Sequence, residues 1–396
     1  MTSQRSVYLD FNATTPPHPE ALEAMLPYYK DNYGNASALH RKGRAAYAAL
    51  EESRTIIGDC LGTESVDIIF TSGGTESNNF AIRGTAFKNR KLGNHIITSP
   101  IEHLSVLEVC RSLKLEGFDI TYLKPDKCGL INPADVEKAI KDTTILVSVM
   151  HVNNEVGTIE PIKEIAKVVK RTNENQKLKT ENRIYFHTDS VQAMGKIALD
   201  VEELGIDLLS ISAHKIYGPK GIGALYIRKG TEIQSYCYGG HQERNLRAGT
   251  ENIPAIAGFA KAAELAVMNL KENKRIGMLR DSLCKGLLSR IGDVKINGDL
   301  NKGASNTLSL AFAGVDADSL AVNMDIKGIF ASAGSACTSG APEASRVLEA
   351  MGIEPRYAKG SIRFSLGIST TDSDISYCIE TIPALVEHLR LTHINT

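Results

Sequence analysis

A lysine directly after an apolar segment is the first residue whose position indicates chemistry. Residues 210–223 read SISAHKIYGPKGIG, which places Lys215 just past a β-branched run and beside Ser212 and His214. Poor solvation at such a position favours the neutral amine that can form a Schiff base. Most lysines are instead solvated at the surface. The Ser-x-His-Lys and Gly-Pro-Lys-Gly sequences favour the catalytic interpretation.

Two glycines between a predicted strand and a predicted helix form a second feature. Residues 70–79 read FTSGGTESNN, with Gly73 and Gly74 ahead of Thr75. Glycines let the backbone approach a ligand closely, and a hydroxyl beside the free N–H groups of a helix start suits a phosphate. A capped helix after an ordinary tight turn explains this pattern equally well. The motif alone leaves both interpretations open.

A third feature is an aspartate that ends an apolar run, with a glutamine shortly after it. Residues 186–192 read FHTDSVQ, so Asp189 closes the run and Gln192 follows three positions later. A carboxylate can hold the ring nitrogen of a pyridine cofactor protonated, which makes the ring an electron sink, and Gln192 could donate to the ring hydroxyl. An aspartate at this position is otherwise most often a helix N-cap. This segment alone does not outweigh the N-cap interpretation.

One of the seven cysteines, Cys337, lies in a segment of small residues. Residues 333–340 read AGSACTSG, a composition typical of an accessible loop rather than a packed core. We interpret the other six cysteines as inert. No Cys/His cluster has zinc-like spacing, so no metal site is predicted. The odd, scattered cysteines of so long a chain favour a reducing compartment, and we expect the protein to be cytosolic.

Short apolar segments that alternate with amphipathic stretches must position these residues. The predicted strands are 66–71, 95–99, 120–123, 145–151, 184–189, 208–213 and 224–227, and the predicted helices between them include 77–88, 103–116, 133–141 and 161–171. Consecutive β-branched and apolar residues are typical of strands buried on both faces. The alternation predicts an α/β fold with a mostly parallel sheet, whose carboxyl-end loops usually bind the ligand.

The residue pattern changes in the last third of the chain, where helices and shorter strands predict a second, smaller α+β domain. Residues 256–291 read as one or two helices, and a last helix is expected near 373–391. The polar segment 173–182 is the best candidate for an exposed insertion. With 45 Lys+Arg against 46 Asp+Glu in 396 residues, the net charge of −1 gives no reason to expect nucleic acid or an anionic membrane as the main partner. No secretory signal is visible at the N-terminus, and no apolar run reaches 18 residues.

Taken together, these segments resemble the cysteine desulfurases. YLDFNATT at 8–15, VNNEVG at 152–157 and IRFSLG at 362–367 extend the resemblance over nearly the whole chain, in family order. The resemblance implies a pyridoxal-phosphate (PLP) dependent transferase of fold type I, with a seven-stranded sheet. It also implies a large domain at 15–262 and a small domain at 1–14 and 263–396, which carries the catalytic-cysteine loop at about 331–341.

The resemblance also assigns roles to single residues. Lys215 would form the Schiff base, His103 would stack on the ring and move protons, and Cys337 would be the catalytic thiol. The cofactor-binding residues would be Gly74, Thr75, His103, Asn154, Asp189, Gln192, Ser212, His214, Lys215 and Thr250. Thr250 matches a residue that reaches the phosphate of the neighbouring subunit, which implies a homodimer. A histidine at a strand–helix junction is otherwise most often a cap.

The substrate-binding residues implied by the resemblance are Asn35, Asn154 and Arg363. A guanidinium can grip an amino-acid carboxylate bidentately, although an arginine near a strand could instead form a surface ion pair. Many relatives carry proline where this chain has Ala36, which leaves the local turn less certain but touches no catalytic group.

The implied reaction converts L-cysteine to L-alanine and leaves sulfur on Cys337 as a persulfide, which a sulfur-acceptor or iron–sulfur scaffold protein would take. Cys337 could also transiently ligate a cluster iron. Three alternatives remain open at this stage: a selenocysteine lyase, a PLP-dependent aminotransferase that does not need Cys337, and a catalytically silent scaffold for cluster assembly. The sequence does not identify the acceptor, so nitrogenase maturation, general cluster assembly, tRNA thiolation and DNA phosphorothioation all remain possible.

Overall fold

The structure is a computed structural model that describes residues 5–176, 182–333 and 345–393. Its strands are β1 (Val7–Tyr8), β2 (Ile68–Thr71), β3 (His95–Thr98), β4 (Asp119–Tyr122), β5 (Thr144–Ser148), β6 (Tyr185–Asp189), β7 (Leu208–Ser212), β8 (Gly223–Ile227), β9 (Val294–Asn297), β10 (Thr307–Phe312), β11 (Ile329–Phe330), β12 (Ser332–Ala333) and β13 (Ser361–Ser365). Its helices are α1 (Pro19–Lys30), α2 (Arg41–Leu61), α3 (Gly74–Lys88), α4 (Leu104–Leu115), α5 (Pro133–Ala139), α6 (Ile162–Gln176), α7 (Val201–Leu204), α8 (Ile253–Met268), α9 (Glu272–Leu288), α10 (Ala317–Ile326), α11 (Arg346–Ala350), α12 (Pro355–Ala358) and α13 (Asp372–His393).

The large sheet has seven strands in the order β2-β8-β7-β6-β5-β3-β4. Strand β8 runs antiparallel to both of its neighbours, and every other pair in this sheet is parallel, so the predicted mostly parallel α/β sheet is confirmed. The apolar runs bury six of the seven strands completely. The expectation of complete burial is wrong for β4, which lies at the edge, pairs only with β3 and leaves its end residues exposed.

The strand bounds differ from the predicted ones by one to three residues. Val66 was expected to begin the first strand of the large sheet, but it lies in a short 3₁₀ turn and is half exposed. The parallel strands all point the same way, so the loops after β3, β5, β6 and β7 meet at one edge of the sheet, where the loop after β2 also arrives. This edge positions the segments that carry the candidate site.

The smaller part of the structure is built on the antiparallel sheet β12-β13-β10-β9. Apolar residues of α9, α10 and α13 pack on this sheet and form a core separate from that of the large sheet. Residues 256–291 form two helices, α8 and α9. The predicted domain boundary at 262 falls within α8, and the boundaries stay a prediction.

In the predicted exposed insertion at 173–182, Glu174 and Asn175 are exposed as expected but belong to α6, and the two end residues are held by hydrogen bonds. The side chain of Asn173 exchanges two hydrogen bonds of 2.8 Å with the backbone of Ile184. Asn182 is buried and donates to the carbonyls of Asp142 and Thr144. The two asparagine side chains therefore hold the end of α6 and the start of the segment before β6 against the rest of the protein. Residues 177–181 lie outside the described residues.

Within the ranges given above, no single helix is long and apolar enough to cross a bilayer, although α8 and α9 reach that length and composition as a pair bent by 74°.

Candidate active site

A cavity of about 450 Å³ opens at the carboxyl edge of the large sheet, where the smaller sheet meets it. Its lining brings together most of the predicted site residues: Gly74, Thr75, His103, Asn154, Asp189, Gln192, Ser212, His214, Lys215 and Arg363. Asp10, Asn12, Asn78, Ser105 and Ser332 line the same cavity and were not predicted. Residues far apart in sequence therefore form one site.

One end of the cavity has the features of an anion site. Helix α3 begins at Gly74 behind Gly73, whose φ of 148° favours glycine, and no side chain caps it. A Cβ on Gly74 would lie 2.7 Å from a methyl carbon of Val191, so the position also requires glycine. The capped-helix alternative is therefore wrong, because the first N–H groups of α3 have no side-chain acceptor. Uncapped N–H groups at a helix start suit a phosphate.

Ser212 lies at the same end, because its side chain is within 3.8 Å of where a Cβ on Gly73 or Gly74 would be, and His214 follows it in the cavity lining with Nδ1 3.2 Å from Thr14 Oγ1. Ser212 ends β7, and both Ser212 and His214 line the cavity. Burial lowers the pKa of His214 to about 4, with the positive charges of Lys215 and Lys220 acting in the same direction. His214 is therefore neutral at pH 7 and can offer a single ring N–H to an anion.

Asp189 is held by an amide that the sequence analysis missed. The Asn78 Nδ2 donates to Asp189 Oδ2 at 2.7 Å and to the Ser105 hydroxyl at 2.8 Å, while the backbone N–H of Val191 donates to Asp189 Oδ1 at 3.0 Å. The N-cap alternative is thus replaced by a short turn that points the carboxylate into the cavity. Asn78 comes four residues after Gly74, and this helical spacing was the signal that could have identified it.

His103 is both a helix cap and a cavity residue. Its Nδ1 accepts from the Ser105 backbone N–H at 3.1 Å and lies 2.7 Å from the Ser105 hydroxyl. Since Nδ1 is an acceptor, the neutral ring carries its proton on Nε2. Burial lowers the pKa of His103, as do Lys215 and Arg346, whereas Asp189 opposes the shift. The ring is therefore neutral at neutral pH.

Lys215 reaches the N-terminal segment. Its Nζ donates to the carbonyls of Asn12 and Ala13, both at 2.6 Å. The Asn12 carbonyl also accepts from Gln192 Nε2 at 2.9 Å. Lys215 and Gln192, which were assigned to the aldehyde and the neighbouring hydroxyl of one cofactor ring, therefore share a single acceptor.

Asn12 also joins the two sheets. Its Nδ2 donates to Thr307 Oγ1 at 2.9 Å, and its Oδ1 accepts from Asn306 Nδ2 at 2.9 Å and from Lys196 Nζ at 3.1 Å. Lys196 donates to Gln192 Oε1 as well, and burial lowers its pKa well below the ordinary value. Neither Asn12 nor Lys196 was singled out from the sequence, because their partners lie up to 295 residues away.

Arg363 forms the wall of the cavity opposite the large sheet. Its Nη2 lies 2.7 Å from Asp10 Oδ1, and its Nη1 donates to the Asn154 carbonyl at 2.9 Å. Only 7% of the residue is exposed, so the alternative of a surface ion pair is wrong. The buried Nε has no hydrogen-bond partner among the described residues. A buried donor that lacks an acceptor suits a carboxylate ligand.

Two predicted residues in the described ranges do not line this cavity. Asn35 is exposed, and its Oδ1 accepts from the Ser37 backbone N–H at 2.8 Å. Thr250 is exposed as well. Cys337 lies in 334–344, outside the described residues; the strand before that segment, β12, pairs Ser332 with Arg363 at the cavity wall.

Comparisons with known proteins agree with this geometry. The profile of the class-V aminotransferases matches residues 7–378. A protein named cysteine desulfurase IscS, from Dictyoglomus turgidum, is 49% identical over 388 residues, which cover 98% of this chain and 96% of the relative. A solved structure of a NifS-like protein aligns with a TM-score of 0.90 at 37% identity, over 97% of this chain and 100% of that one. A structure of SspA in complex with cysteine aligns with a TM-score of 0.79 at 36% identity, over 91% and 99% of the two chains.

Proposed function

The chain belongs to the class-V aminotransferase family and, within it, to the cysteine desulfurases; on that premise we propose that it converts L-cysteine to L-alanine and transfers the sulfur to Cys337 as a persulfide. Family membership also confirms the predicted fold type I and the cofactor, PLP. The observation that carries the proposal is the cavity that joins Lys215, Asp189 and Arg363. It brings an amine, a carboxylate and a guanidinium into one cavity of about 450 Å³.

The residues of the cavity fit this cofactor. The uncapped start of α3 with Ser212 and His214 suits its phosphate, and Asp189, oriented by Asn78, suits its ring nitrogen. Lys215 is the amine that would attach it covalently. When bound, the cofactor acts as an electron sink for charge at the substrate α-carbon.

The protein residues would handle the substrate and its protons. Arg363, with its unpartnered Nε, would bind the carboxylate of cysteine. His103 carries a proton on Nε2 and faces the same cavity, which suits proton transfer beside the ring. Lys215, once displaced by the substrate amine, would be the base at the α-carbon.

The sulfur transfer balances without an outside oxidant or reductant. The Cys337 thiolate attacks the sulfur of the bound cysteine, so an S–S bond forms and the Cβ–S bond of the substrate breaks. The electron pair of the broken bond remains on the substrate carbon, which takes up a proton and leaves as alanine. The thiol hydrogen lost by Cys337 is thus recovered in the products.

The position of Cys337 in the sequence, shortly after a cavity-lining strand, supports its proposed role. Ser332 lines the cavity and β12 ends at Ala333, four residues before Cys337. Four residues of extended chain span at most about 14 Å. This short connection supports the proposal that the Cys337 thiol attacks the sulfur of the substrate.

The functional unit in this proposal is a homodimer, in which Thr250 reaches the cofactor phosphate of the other subunit. Thr250 is exposed and lies outside the cavity of its own chain. The exposed Tyr47 lines one pocket with Gln242 and with Glu251, the residue after Thr250, and offers an apolar contact for a second copy. Light scattering that gives the mass of one chain at micromolar concentration would contradict this part.

The acceptor of the persulfide sulfur would be another protein, either an iron–sulfur scaffold or the acceptor of another thio-cofactor pathway. Relatives named IscS favour the scaffold. In this proposal the enzyme works in the cytosol, because the six cysteines of the described ranges are all free, as expected in a reducing compartment.

The decisive experiment combines absorbance, product and mass analysis. The purified protein should show the visible absorbance of lysine-bound PLP, form alanine from cysteine, and gain the mass of one sulfur atom on Cys337. Cys337→Ser is expected to keep the absorbance and lose the sulfur transfer, while Cys128→Ser, a control at a half-buried cysteine outside the cavity lining, changes neither. Transfer at the wild-type rate by Cys337→Ser, or keto-acid-dependent amino transfer without sulfur release, would overturn the proposal.

A further inference from the structure

Three consecutive residues before Thr250 adopt a left-handed backbone conformation. Glu243, Arg244 and Asn245 have φ values of 43°, 57° and 64°. This region is unfavourable for residues that carry a Cβ, and such a run persists only where surrounding contacts impose it. The contacts of this left-handed turn therefore indicate what it is built to hold.

A buried ion pair fixes the left-handed turn. The Glu243 carboxylate accepts from Arg54 Nη1 at 2.7 Å and from Arg54 Nη2 at 2.8 Å, and only 6% of Glu243 and 3% of Arg54 are exposed. Arg54 Nη1 also donates to the Ile68 carbonyl at 2.9 Å. The pair thus ties the turn to α2 and β2.

The same carboxylate holds the strand that leads to the phosphate end of the cavity. Glu243 Oε2 accepts from the Phe70 backbone N–H at 2.8 Å, four residues before Gly74. On the other side of the turn, Gln242 Oε1 accepts from the Gly249 backbone N–H at 3.1 Å, directly before Thr250. Two consecutive side chains of the turn region therefore contact the strand before the anion site and the residue before the exposed threonine.

We propose that Arg54 and Glu243 are positioning residues that hold the left-handed turn, and through it present Thr250 to the cofactor phosphate of the partner subunit. The inference rests on the proposed function, because it needs the PLP dimer. Neither residue lines the cavity or touches the reacting atoms.

Hybrid dimers test the inference by separating the two subunits. One subunit carries Lys215→Ala, so that only the other, wild-type site can attach PLP covalently, and absorbance titration gives the Kd of that site. Adding Thr250→Ala to the Lys215→Ala subunit should raise this Kd about tenfold, the order expected for one lost hydrogen bond to a charged group. Adding Glu243→Gln to the Lys215→Ala subunit instead should raise it by a similar factor.

The double addition distinguishes positioning from general damage. Thr250→Ala and Glu243→Gln together in the Lys215→Ala subunit should raise the Kd no further than Thr250→Ala alone, because both act through one hydroxyl. Glu52→Gln is the matched control: Glu52 is an exposed glutamate on the same helix as Arg54 and has no hydrogen bond or ion pair with the described residues of the turn. It should leave the Kd unchanged.

Gln242 provides a second variant should the hybrids with Glu243→Gln fail to assemble. Gln242→Ala in the Lys215→Ala subunit should raise the Kd about threefold, and Gln242→Glu, which keeps an acceptor for Gly249, should restore it.

Each pattern of results has one meaning. If Thr250→Ala weakens binding at the wild-type site and the Glu243 and Gln242 variants do not, the positioning inference is wrong and the dimer proposal stands. If Thr250→Ala has no effect on that site, the proposed contribution from the partner is itself wrong.

Discussion

Replacing Arg363 with lysine should weaken cysteine binding far more than it slows the chemical step. The guanidinium already donates to Asp10 and to the Asn154 carbonyl, and its Nε is left for a ligand. A lysine ammonium carries all of its donors on one atom, so it cannot donate to Asp10, the Asn154 carbonyl and a bound carboxylate at the same time. The Arg363→Lys site therefore loses at least one hydrogen bond between charged groups.

The size of the effect follows from that loss. One charge-assisted hydrogen bond contributes about 1.5–3 kcal/mol, which corresponds to an increase in KM of about 10- to 150-fold. Because the carboxylate is bound equally in the ground state and the transition state, kcat should change by less than about threefold.

Steady-state alanine formation over a range of cysteine concentrations measures both constants. The PLP absorbance of Arg363→Lys controls for an intact cavity, and Lys295→Arg, at an exposed ion pair with Glu354, controls for substitution on the same small sheet. An unchanged KM, or a loss confined to kcat, would refute the assignment of Arg363 to the substrate carboxylate.

Three further predictions concern buried polar groups. Asn78→Ala should raise the Kd for PLP about tenfold, because Asp189 loses its 2.7 Å donor; a Kd within twofold of wild type would contradict this. Burial raises the pKa of Glu102 to about 8, so the protonated side chain contributes fully to stability below pH 4.5, and this contribution is lost as the pH rises towards 8. The free energy of unfolding in urea should fall by about 1.4 kcal/mol per pH unit in this range for the wild type but not for Glu102→Gln. The same pH dependence in both proteins would refute the prediction. Burial lowers the pKa of His187 to about 3, so stability falls as the pH drops below 6.5; His187→Asn should remove a similar slope between pH 6 and 4, as equilibrium unfolding at several pH values can show.

Local sequence patterns predicted the strands and most of the cavity because they act over a few residues. Runs of apolar residues identified six buried strands, and the residues after β6 and β7 had to meet at one edge of a parallel sheet. Local patterns could not predict that β4 lies at the edge of the sheet. Its exposure depends on which strands lie beside it and not on its own four residues.

The missed residues depend on contacts between distant segments. Asp10 meets Arg363 across 353 positions, and Asn12 meets Thr307 across 295. Nothing in the spacing of either residue indicates such a partner, since the contact exists only after the two sheets pack. The role of Glu243 was also missed, because the sequence around it is polar. Its burial depends on the ion pair with Arg54, which is 189 residues away.

The hydrogen bond from Phe70 to Glu243 has a consequence for how a dimer would fill with cofactor. Glu243 accepts from the strand that leads to the glycine pair of its own chain, and in our proposal it also positions Thr250 for the cofactor of the other subunit. Cofactor binding in one subunit would therefore order Glu243 and favour cofactor binding in the other. A preparation with half of its cofactor should then hold fully loaded and empty dimers in excess of the statistical mixture. Native mass spectrometry of such a preparation would count the three species directly.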